Sequence, residues 1–252
     1  MPSDTGKVRV EGFPTRFEAS SKQVRVMLGG EFIADTRSPL LVWEIPYFPF
    51  YYVPMADVKP GALTEVGNTD GVITYNVRGG DKEVVSGAHR FIDAPNEELR
   101  GLVAFHWREM DGWFEEAEEI FAHPRDPHHR VDILRSRRNV RIEVDGVTVA
   151  ESDAPVLLFE TGLPTRYYLD QTDVRMDLLT PNDAATQCPY KGTARYWDLD
   201  NGITSYPRFV WSYPFPIQES SKIAGLLCFY NEKVDLFLDG VLQDPPVSPF
   251  ST

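Results

Sequence analysis

The sequence contains little cysteine, few basic residues and no long apolar run. Its two cysteines, Cys188 and Cys228, are too few for a disulfide framework or a cysteine-based zinc site. No stretch is long and apolar enough to cross a bilayer, and the first residues do not resemble a signal peptide. There are 25 Lys and Arg against 38 Asp and Glu, a net charge of −13. Because Lys and Arg contacts drive polyanion binding, we expect an acidic, cytoplasmic protein that binds neither nucleic acid nor membrane.

The chain is rich in turn-forming and aromatic residues. It contains 20 Pro and 18 Gly among 252 residues, and aromatic residues make up 12%. Pro and Gly interrupt regular elements, and aromatic side chains favour strands. The composition therefore predicts a mainly β fold with many turns.

The sequence contains an internal repeat. Residues 24–64 match residues 140–180 without a gap at an offset of 116, and the match resumes near Phe105 and Phe229 at an offset of 124. The matched pairs include Trp43-Glu44 with Phe159-Glu160, Tyr51-Tyr52 with Tyr167-Tyr168, and Asp57-Val58 with Asp173-Val174. We expect a first copy over residues 1–122, a Pro/His/Arg linker over 123–132 and a second copy over 133–252.

Alternation of apolar and polar residues predicts antiparallel strands in each copy. In the second copy it predicts hairpins around Asp145-Gly146 and Asn201-Gly202, because both dipeptides favour tight turns with positive φ. It also predicts a hairpin around residues 231–233, between strands 226–230 and 234–238. Apolar residues from Trp113 to Phe121 recur at helical spacing, which predicts a short amphipathic helix at the end of the first copy.

The second copy resembles the bacterial and fungal DUF427 family. The residues that carry the resemblance are Gly146, Ala150-Glu151-Ser152, Leu158-Phe159-Glu160-Thr161-Gly162, Arg166-Tyr167-Tyr168, Asp173-Val174, Thr186-Gln187-Cys188-Pro189-Tyr190-Lys191-Gly192, Ile223-Ala224-Gly225 and Phe229-Tyr230. The first copy is similar more weakly, with residues 74–79 where the Cys-Pro-Tyr-Lys-Gly run would fall. The resemblance implies tandem β-tent domains, each with two antiparallel sheets over a pocket. The family has no assigned function, although a nucleotidyltransferase label is sometimes attached to it.

Nucleotidyl transfer is weakly supported by the residues. Asp198 and Asp200 have the spacing of a metal-binding carboxylate pair, but they lead into a predicted turn and no phosphate-binding loop precedes them. Cys188 has no histidine within residues 133–252 to activate it, and an extended strand would place Lys191 on the opposite face. We favour a packing role for Cys188 and expect no metal and no cofactor.

A set of polar residues in the second copy could converge on a pocket. A ligand site and a structural clamp are equally consistent with Glu160, Arg166, Tyr168 and Lys191, whereas we expect Asp173, like Asp57, to be a clamp that pairs with Arg166 or Lys191. Trp197 and Trp211 flank the Asn201 hairpin and would face each other as a wall for a planar ring. The predicted ligand-binding residues are Glu160, Arg166, Tyr167, Tyr168, Tyr190, Lys191, Trp197 and Trp211. The segment His128-His129-Arg130 is interpreted as surface or as the edge of a lid.

Three functions remain open at this point. The first is a protein that binds a small polar or anionic molecule, including one with a planar ring. It would bind this molecule mainly in the second copy, and it could be an enzyme of unassigned reaction. The second is a transferase or hydrolase that uses Lys191 and Glu160, with Cys188 accessory. The third is a structural module without catalysis. We expect either a monomer whose two copies form an internal pseudo-dimer or a homodimer.

Overall fold

The computed structural model describes residues 9–10 and 13–251. It divides into two compact units, residues 1–126 and 127–252. The division falls inside the segment predicted as a linker. Each unit is mainly β, as the composition predicts.

The first unit contains one seven-stranded and one four-stranded antiparallel sheet, with a two-stranded ribbon before them. Its strands are β1 (Arg9–Val10), β2 (Phe13–Pro14), β3 (Arg16–Ala19), β4 (Val24–Leu28), β5 (Glu31–Thr36), β6 (Leu40–Trp43), β7 (Phe50–Pro54), β8 (Leu63–Thr69), β9 (Val72–Gly79), β10 (Lys82–Phe91), β11 (Leu102–Phe105), β12 (Gly112–Glu115) and β13 (Glu118–Ile120). The large sheet has the order β3-β6-β7-β11-β10-β9-β8, and the small sheet has the order β13-β12-β4-β5.

The second unit repeats this plan. Its strands are β14 (Val131–Arg135), β15 (Val140–Val144), β16 (Val147–Ser152), β17 (Val156–Glu160), β18 (Arg166–Leu169), β19 (Leu179–Cys188), β20 (Gly192–Asp200), β21 (Ser205–Ser212), β22 (Leu227–Phe229), β23 (Asp235–Leu238) and β24 (Val241–Leu242). The large sheet has the order β14-β17-β18-β22-β21-β20-β19, and the small sheet has the order β16-β15-β23-β24. The two units therefore share their strand order, so the tandem repeat is confirmed.

Two of the predicted hairpins are confirmed. The β15–β16 hairpin turns at Asp145 and Gly146, whose φ values are 53° and 76°. Positive φ at both central residues is what a type I′ turn requires. The hairpin at Asn201 joins β20 to β21, also as predicted.

The change of offset from 116 to 124 means that the second copy contains extra residues relative to the first. Most of these extra residues lie in one hairpin. Leu63 pairs with Val77 across β8–β9, whereas the matching Leu179 pairs with Leu199 across β19–β20. The longer hairpin ends in the turn Cys188–Gly192, which corresponds to the turn Thr69–Val72 of the first unit. The predicted alignment of the Cys-Pro-Tyr-Lys-Gly run with residues 74–79 is therefore wrong. Both strands of this hairpin are longer in the second unit, so no single offset aligns the two hairpins.

The predicted helix at the end of the first copy is wrong. Trp113 and Ile120 are cross-strand partners in the β12–β13 hairpin, and Glu116 makes the turn with a φ of 53°. A short hairpin with apolar residues on one face mimics helical spacing. The helical segments among the described residues are short 3-10 turns, at Met55–Asp57, Glu97–Leu99, Trp107–Glu109, Gln171–Asp173, Met176–Leu178 and Gln218–Ile223.

The predicted hairpin around residues 231–233 is also wrong. β22 belongs to the large sheet and pairs with β18 and β21, whereas β23 belongs to the small sheet and pairs with β15. The connection therefore crosses from one sheet to the other. Alternation marks each strand but does not specify its partner.

The large sheet of the second unit is covered on both faces. One apolar cluster joins it to the small sheet and includes Val140, Leu169, Leu199 and Phe229. The opposite face carries a second cluster, which we call the aromatic face: Ile133, Val156, Leu158, Tyr168, Ala194, Trp211, Tyr213, Ile223 and Cys228. Successive residues of a strand point to opposite faces, so every strand contributes to both clusters.

Candidate functional site

Alternation along the strands decides which predicted site residues can meet. Arg166 and Tyr168 of β18 point to the aromatic face, whereas Tyr167 packs against the cluster between the sheets. Glu160 lies two residues after Leu158 on β17 and therefore faces the same way as Leu158. Tyr167 is thus not part of a site on the aromatic face.

A charged cluster lies at the end of β17. The ammonium group of Lys191 donates to both carboxylate oxygens of Glu160, with Nζ–Oε1 and Nζ–Oε2 distances of 2.6 Å. His129 contributes a third bond, with Nε2 3.0 Å from Oε1. The side chains of Glu160, Lys191 and His129 are 6%, 9% and 15% exposed. We call these three residues the Lys191 cluster.

Backbone hydrogen bonds bring distant segments to this cluster. Val131 pairs with Glu160, and Thr161 N donates to Arg130 O at 3.0 Å, which holds His129 beside the carboxylate. Lys191 lies in a tight turn closed by its N–H donating to Cys188 O at 3.3 Å. This turn keeps Lys191 close to Cys188, not on an opposite strand face.

Tyr190 covers one side of the cluster. Its ring stacks on His129 with a centroid distance of 4.1 Å and an interplanar angle of 21°. Ser220 Oγ donates to Tyr190 O at 2.9 Å, which ties the turn to the 3-10 segment Gln218–Ile223. The stacked pair presents a flat, partly polar surface beside the ion pair.

The electrostatics keep Glu160 ionised and the nearby phenols neutral. Burial by itself raises the pKa of Glu160, but the hydrogen bond from His129 and the charge of Lys191 outweigh burial, and the pKa lies below its ordinary value of 4.5. Burial raises the pKa of Tyr168 and of Tyr213, and the Glu160 charge adds to both effects. At neutral pH the site therefore offers a carboxylate and undissociated hydroxyls beside the Lys191 side chain.

Arg166 lies on the aromatic face, but its hydrogen-bond partners are Asn231 and Glu232, not the predicted Asp173. Its guanidinium donates to both carboxylate oxygens of Glu232 at 2.6 and 2.7 Å, and to Asn231 Oδ1 at 3.2 Å. It also lies 5.6 Å from the Trp211 ring centroid and 5.5 Å from that of Phe250. Arg166 is thus a buried clamp whose partner is Glu232.

The two tryptophans do not face each other. Trp211 pairs with Tyr196 across β20–β21, while Trp197 pairs with Val210, so the two rings point to opposite faces. Trp197 packs between the sheets, whereas Trp211 lies on the aromatic face and its Nε1 donates to the Tyr168 hydroxyl at 3.2 Å. The predicted aromatic wall is replaced by Trp211 and Tyr230, whose centroids are 4.5 Å apart.

The repeated aspartates are structural, but their partners differ from those predicted. Asp173 accepts a hydrogen bond of 2.6 Å from Ser152 Oγ, and Asp57 accepts one of 2.6 Å from Thr36 Oγ1. Ser152 and Thr36 occupy matching positions in β16 and β5. The clamp therefore ties a 3-10 turn to the small sheet and does not involve Arg166 or Lys191. Cys188 is half-buried and packs against the aromatic face.

The first unit has different chemistry at the equivalent place. Glu44 matches Glu160, and its Oε2 lies 3.7 Å from His89 Nε2. His89 stands where Trp211 stands in the second unit and hydrogen-bonds the Tyr52 hydroxyl at 3.0 Å. Its Nδ1 lies 3.3 Å from His106 Nε2. The strand register also places Phe50 at the position of Arg166.

His129, Asn231 and Glu232 form side-chain hydrogen bonds with predicted site residues but are not themselves among the predicted residues. The sequence pattern places His129 in the linker, so it predicts no histidine in the second copy. β14 begins at Val131, two residues after His129, and the apolar residues of this strand are the signal that could have extended the second copy to include His129. No local signal marks Glu232, which meets Arg166 only through the fold.

The described residues contain no group of three or more His, Cys, Asp or Glu side chains placed to hold a metal ion. No helix in this part of the chain is long and apolar enough to span a membrane.

Sequence comparison identifies the repeated unit. No curated protein matches the chain significantly. A family model described as a domain of unknown function (DUF427) matches residues 16–116 and again residues 132–240. The two matched segments fall in the two units and include both Glu44 and Glu160. The chain therefore belongs to the DUF427 family and contains two copies of the family's domain in tandem.

Proposed function

We propose that the second unit binds a small polar or anionic molecule at the Lys191 cluster. The observation that carries this proposal is the burial of an ammonium, a carboxylate and an imidazole together at one end of the aromatic face. Removing charges from water costs several kcal/mol per ion, so a buried pair is weak support for a purely stabilising role. A binding role gives a reason for these charges to be there.

The hydrogen-bonding capacity of Lys191 supports the same proposal. An ammonium group has three N–H donors, and Glu160 accepts two of them. The third can donate to an oxygen of a ligand. An anionic ligand would add to the attraction, because Lys191 is charged in a partly dry environment.

The stack of Tyr190 on His129 supports a ligand with a planar part. Aromatic and amide groups bind well against an exposed ring edge or face. A planar acid, with its ring against this pair and its charge near Lys191, would use both features. In the first unit, the Thr69–Val72 turn lies at the position of Lys191, and Phe13 occupies the position of His129. Because the first unit lacks this lysine and this histidine, we assign the ligand to the second unit.

Catalysis is a second candidate. The bond from His129 Nε2 to Glu160 is the contact by which a carboxylate orients an imidazole in acid–base catalysis. A transferase or hydrolase of this kind would use Glu160, Lys191 and His129, with Cys188 accessory. Rates on panels of activated esters and nucleotides test it, and His129→Gln should abolish any activity found.

Ligand recovery tests the binding proposal. Native mass spectrometry of the full chain should show an adduct that Lys191→Met abolishes. Lys222→Met is the control for loss of a lysine charge in the same unit, because Lys222 is exposed and donates to a backbone carbonyl, Ile133 O, at 2.8 Å. Adduct binding that is unchanged in Lys191→Met, or equally lost in Lys222→Met, would refute the proposal.

We also propose that the protein is located in the cytoplasm. Both cysteines are free thiols, which suits the reducing cytoplasm. We propose a monomer with an internal pseudo-dimer, or else a homodimer. Cell fractionation and light scattering after gel filtration test these two statements.

A further inference from the structure

A cavity of about 260 Å³ lies in the first unit, away from the position that matches the Lys191 cluster. Its lining residues come from three separate segments: Glu31, Lys59, Pro60, Gly61, Ala62, Arg78, Gly79 and Gly80. Two of the three charged side chains are cationic, in a protein whose net charge is −13. The cavity is therefore a local positive site on an acidic chain.

Backbone hydrogen bonds hold the three segments together. Lys59 N donates to Ile33 O at 2.8 Å, which ties the turn 59–62 to β5. Arg78 N donates to Ala62 O at 2.8 Å, which ties the other end of the turn to β9. A Cβ atom on Gly79 would lie 2.4 Å from Leu28 O, so the backbones are in close contact there. The walls of the cavity are thus preorganised.

A carboxylate already occupies part of the cavity. Glu31 Oε2 accepts hydrogen bonds from Lys59 Nζ at 2.6 Å and from Gly80 N at 3.2 Å. An ammonium group and a backbone N–H are the donors that bind phosphate and carboxylate groups in proteins. Arg78 lines the cavity, and its cross-strand neighbour on β10 is Glu83, whose Oε1 accepts a hydrogen bond from Asn76 Nδ2 at 3.3 Å. The guanidinium of Arg78 has no ion-pair partner among the described residues, so one cation remains for an incoming anion.

The second unit lacks this arrangement at the equivalent corner. Arg175 takes the place of Lys59, but its guanidinium is bound by Asp177 in its own turn at 2.8 and 2.6 Å. By the strand register, Asp200 takes the place of Arg78. The charge of the corner is therefore reversed, and the feature is specific to the first unit.

We propose that this cavity binds a small oxyanion, a phosphate or carboxylate group, through Arg78 and Lys59, with Glu31 as an internal competitor. The incoming anion contacts Arg78 and displaces the Glu31 carboxylate from Lys59 and Gly80 N. Gly61 adds open space, because a Cβ atom there would meet nothing within 4 Å. This site is distinct from the one proposed in the second unit, and either can fail alone.

The test is a titration of the full chain with inorganic phosphate at constant ionic strength, followed by the amide NMR signals of Gly61 and Gly80. Sodium acetate in a parallel titration distinguishes a phosphate site from a carboxylate site. Saturable shifts are expected in the wild type. Arg78→Gln should weaken binding at least about tenfold, because the planar fork is lost.

Glu31→Gln provides the sharper measurement. It removes the competing charge and should tighten binding several-fold, whereas loss of an ordinary surface carboxylate would leave binding unchanged. Arg175→Gln is the matched control in the second unit and should change nothing. Shifts that do not saturate, equal weakening by Arg78→Gln and Arg175→Gln, or weaker binding by Glu31→Gln would overturn the proposal. Unchanged circular dichroism of each variant shows that the fold is intact.

Discussion

Replacing Lys191 with Met tests the energetics of the Lys191 cluster. The substitution removes two hydrogen bonds of 2.6 Å and leaves the Glu160 side chain, which is 6% exposed, with His129 as its one remaining side-chain partner among the described residues. Breaking a buried ion pair on one side costs about 3–5 kcal/mol. Because the His129 bond of 3.0 Å remains, we expect the lower end, about 3 kcal/mol.

The expected fall in melting temperature follows from unit size. For a domain of intermediate size, 1 kcal/mol shifts Tm by roughly 4 °C. A loss of about 3 kcal/mol should therefore lower the Tm of Lys191→Met by about 12 °C. The double variant Lys191→Met/Glu160→Gln removes the orphaned charge and should recover most of this loss. Hydrogen exchange of peptides from residues 127–252 assigns the change to the second unit.

The pH dependence has a definite sign. The pKa of Glu160 in the folded protein lies below its ordinary 4.5, so its contribution to stability is present above pH 4.5 and is lost as the pH falls through the folded value. In Lys191→Met, burial should raise this pKa, and protonation then relieves the orphaned carboxylate. The stability gap between wild type and variant should therefore narrow in acid. A constant gap, or a double variant no more stable than the single one, would refute this account of the cluster.

Three further substitutions test other parts of the structure. Arg166→Met should destabilise by about 3–5 kcal/mol, and adding Glu232→Met should restore most of it, as measured by urea unfolding; no recovery would contradict the clamp. Gly79→Ala should cost about 1–3 kcal/mol, because its Cβ would lie 2.4 Å from a backbone oxygen. Gly67→Ala, with nothing near its Cβ, is the matched control and should be close to neutral. Ser152→Ala should cost about 1–3 kcal/mol by leaving a carboxylate without its hydroxyl donor, and unchanged thermal unfolding would contradict that role.

Local sequence patterns determined the strands, several turns and the repeat. The Asp145-Gly146 turn was predictable because the φ values of 53° and 76° follow from those two residue types and their immediate neighbours. The shared strand order of the two units was predictable from residues 24–64, because matched apolar patterns specify matched register. The polar set around Glu160 was recognised as one group for the same reason.

Tertiary structure decided which residues meet. Both partners of Glu160, His129 and Lys191, are 31 residues away from it in sequence, on opposite sides. Glu232 is 66 residues from Arg166, and the crossing between sheets at β22–β23 brings them together. Alternate residues of a strand point to the same face of the sheet, so the sequence indicates which residues share a face. Strand order and hairpin length determine which of these residues are neighbours. That is why the chemical composition of the site was readable from the sequence, while its pairing, and the placement of Trp197 and Tyr167 in the core, was not.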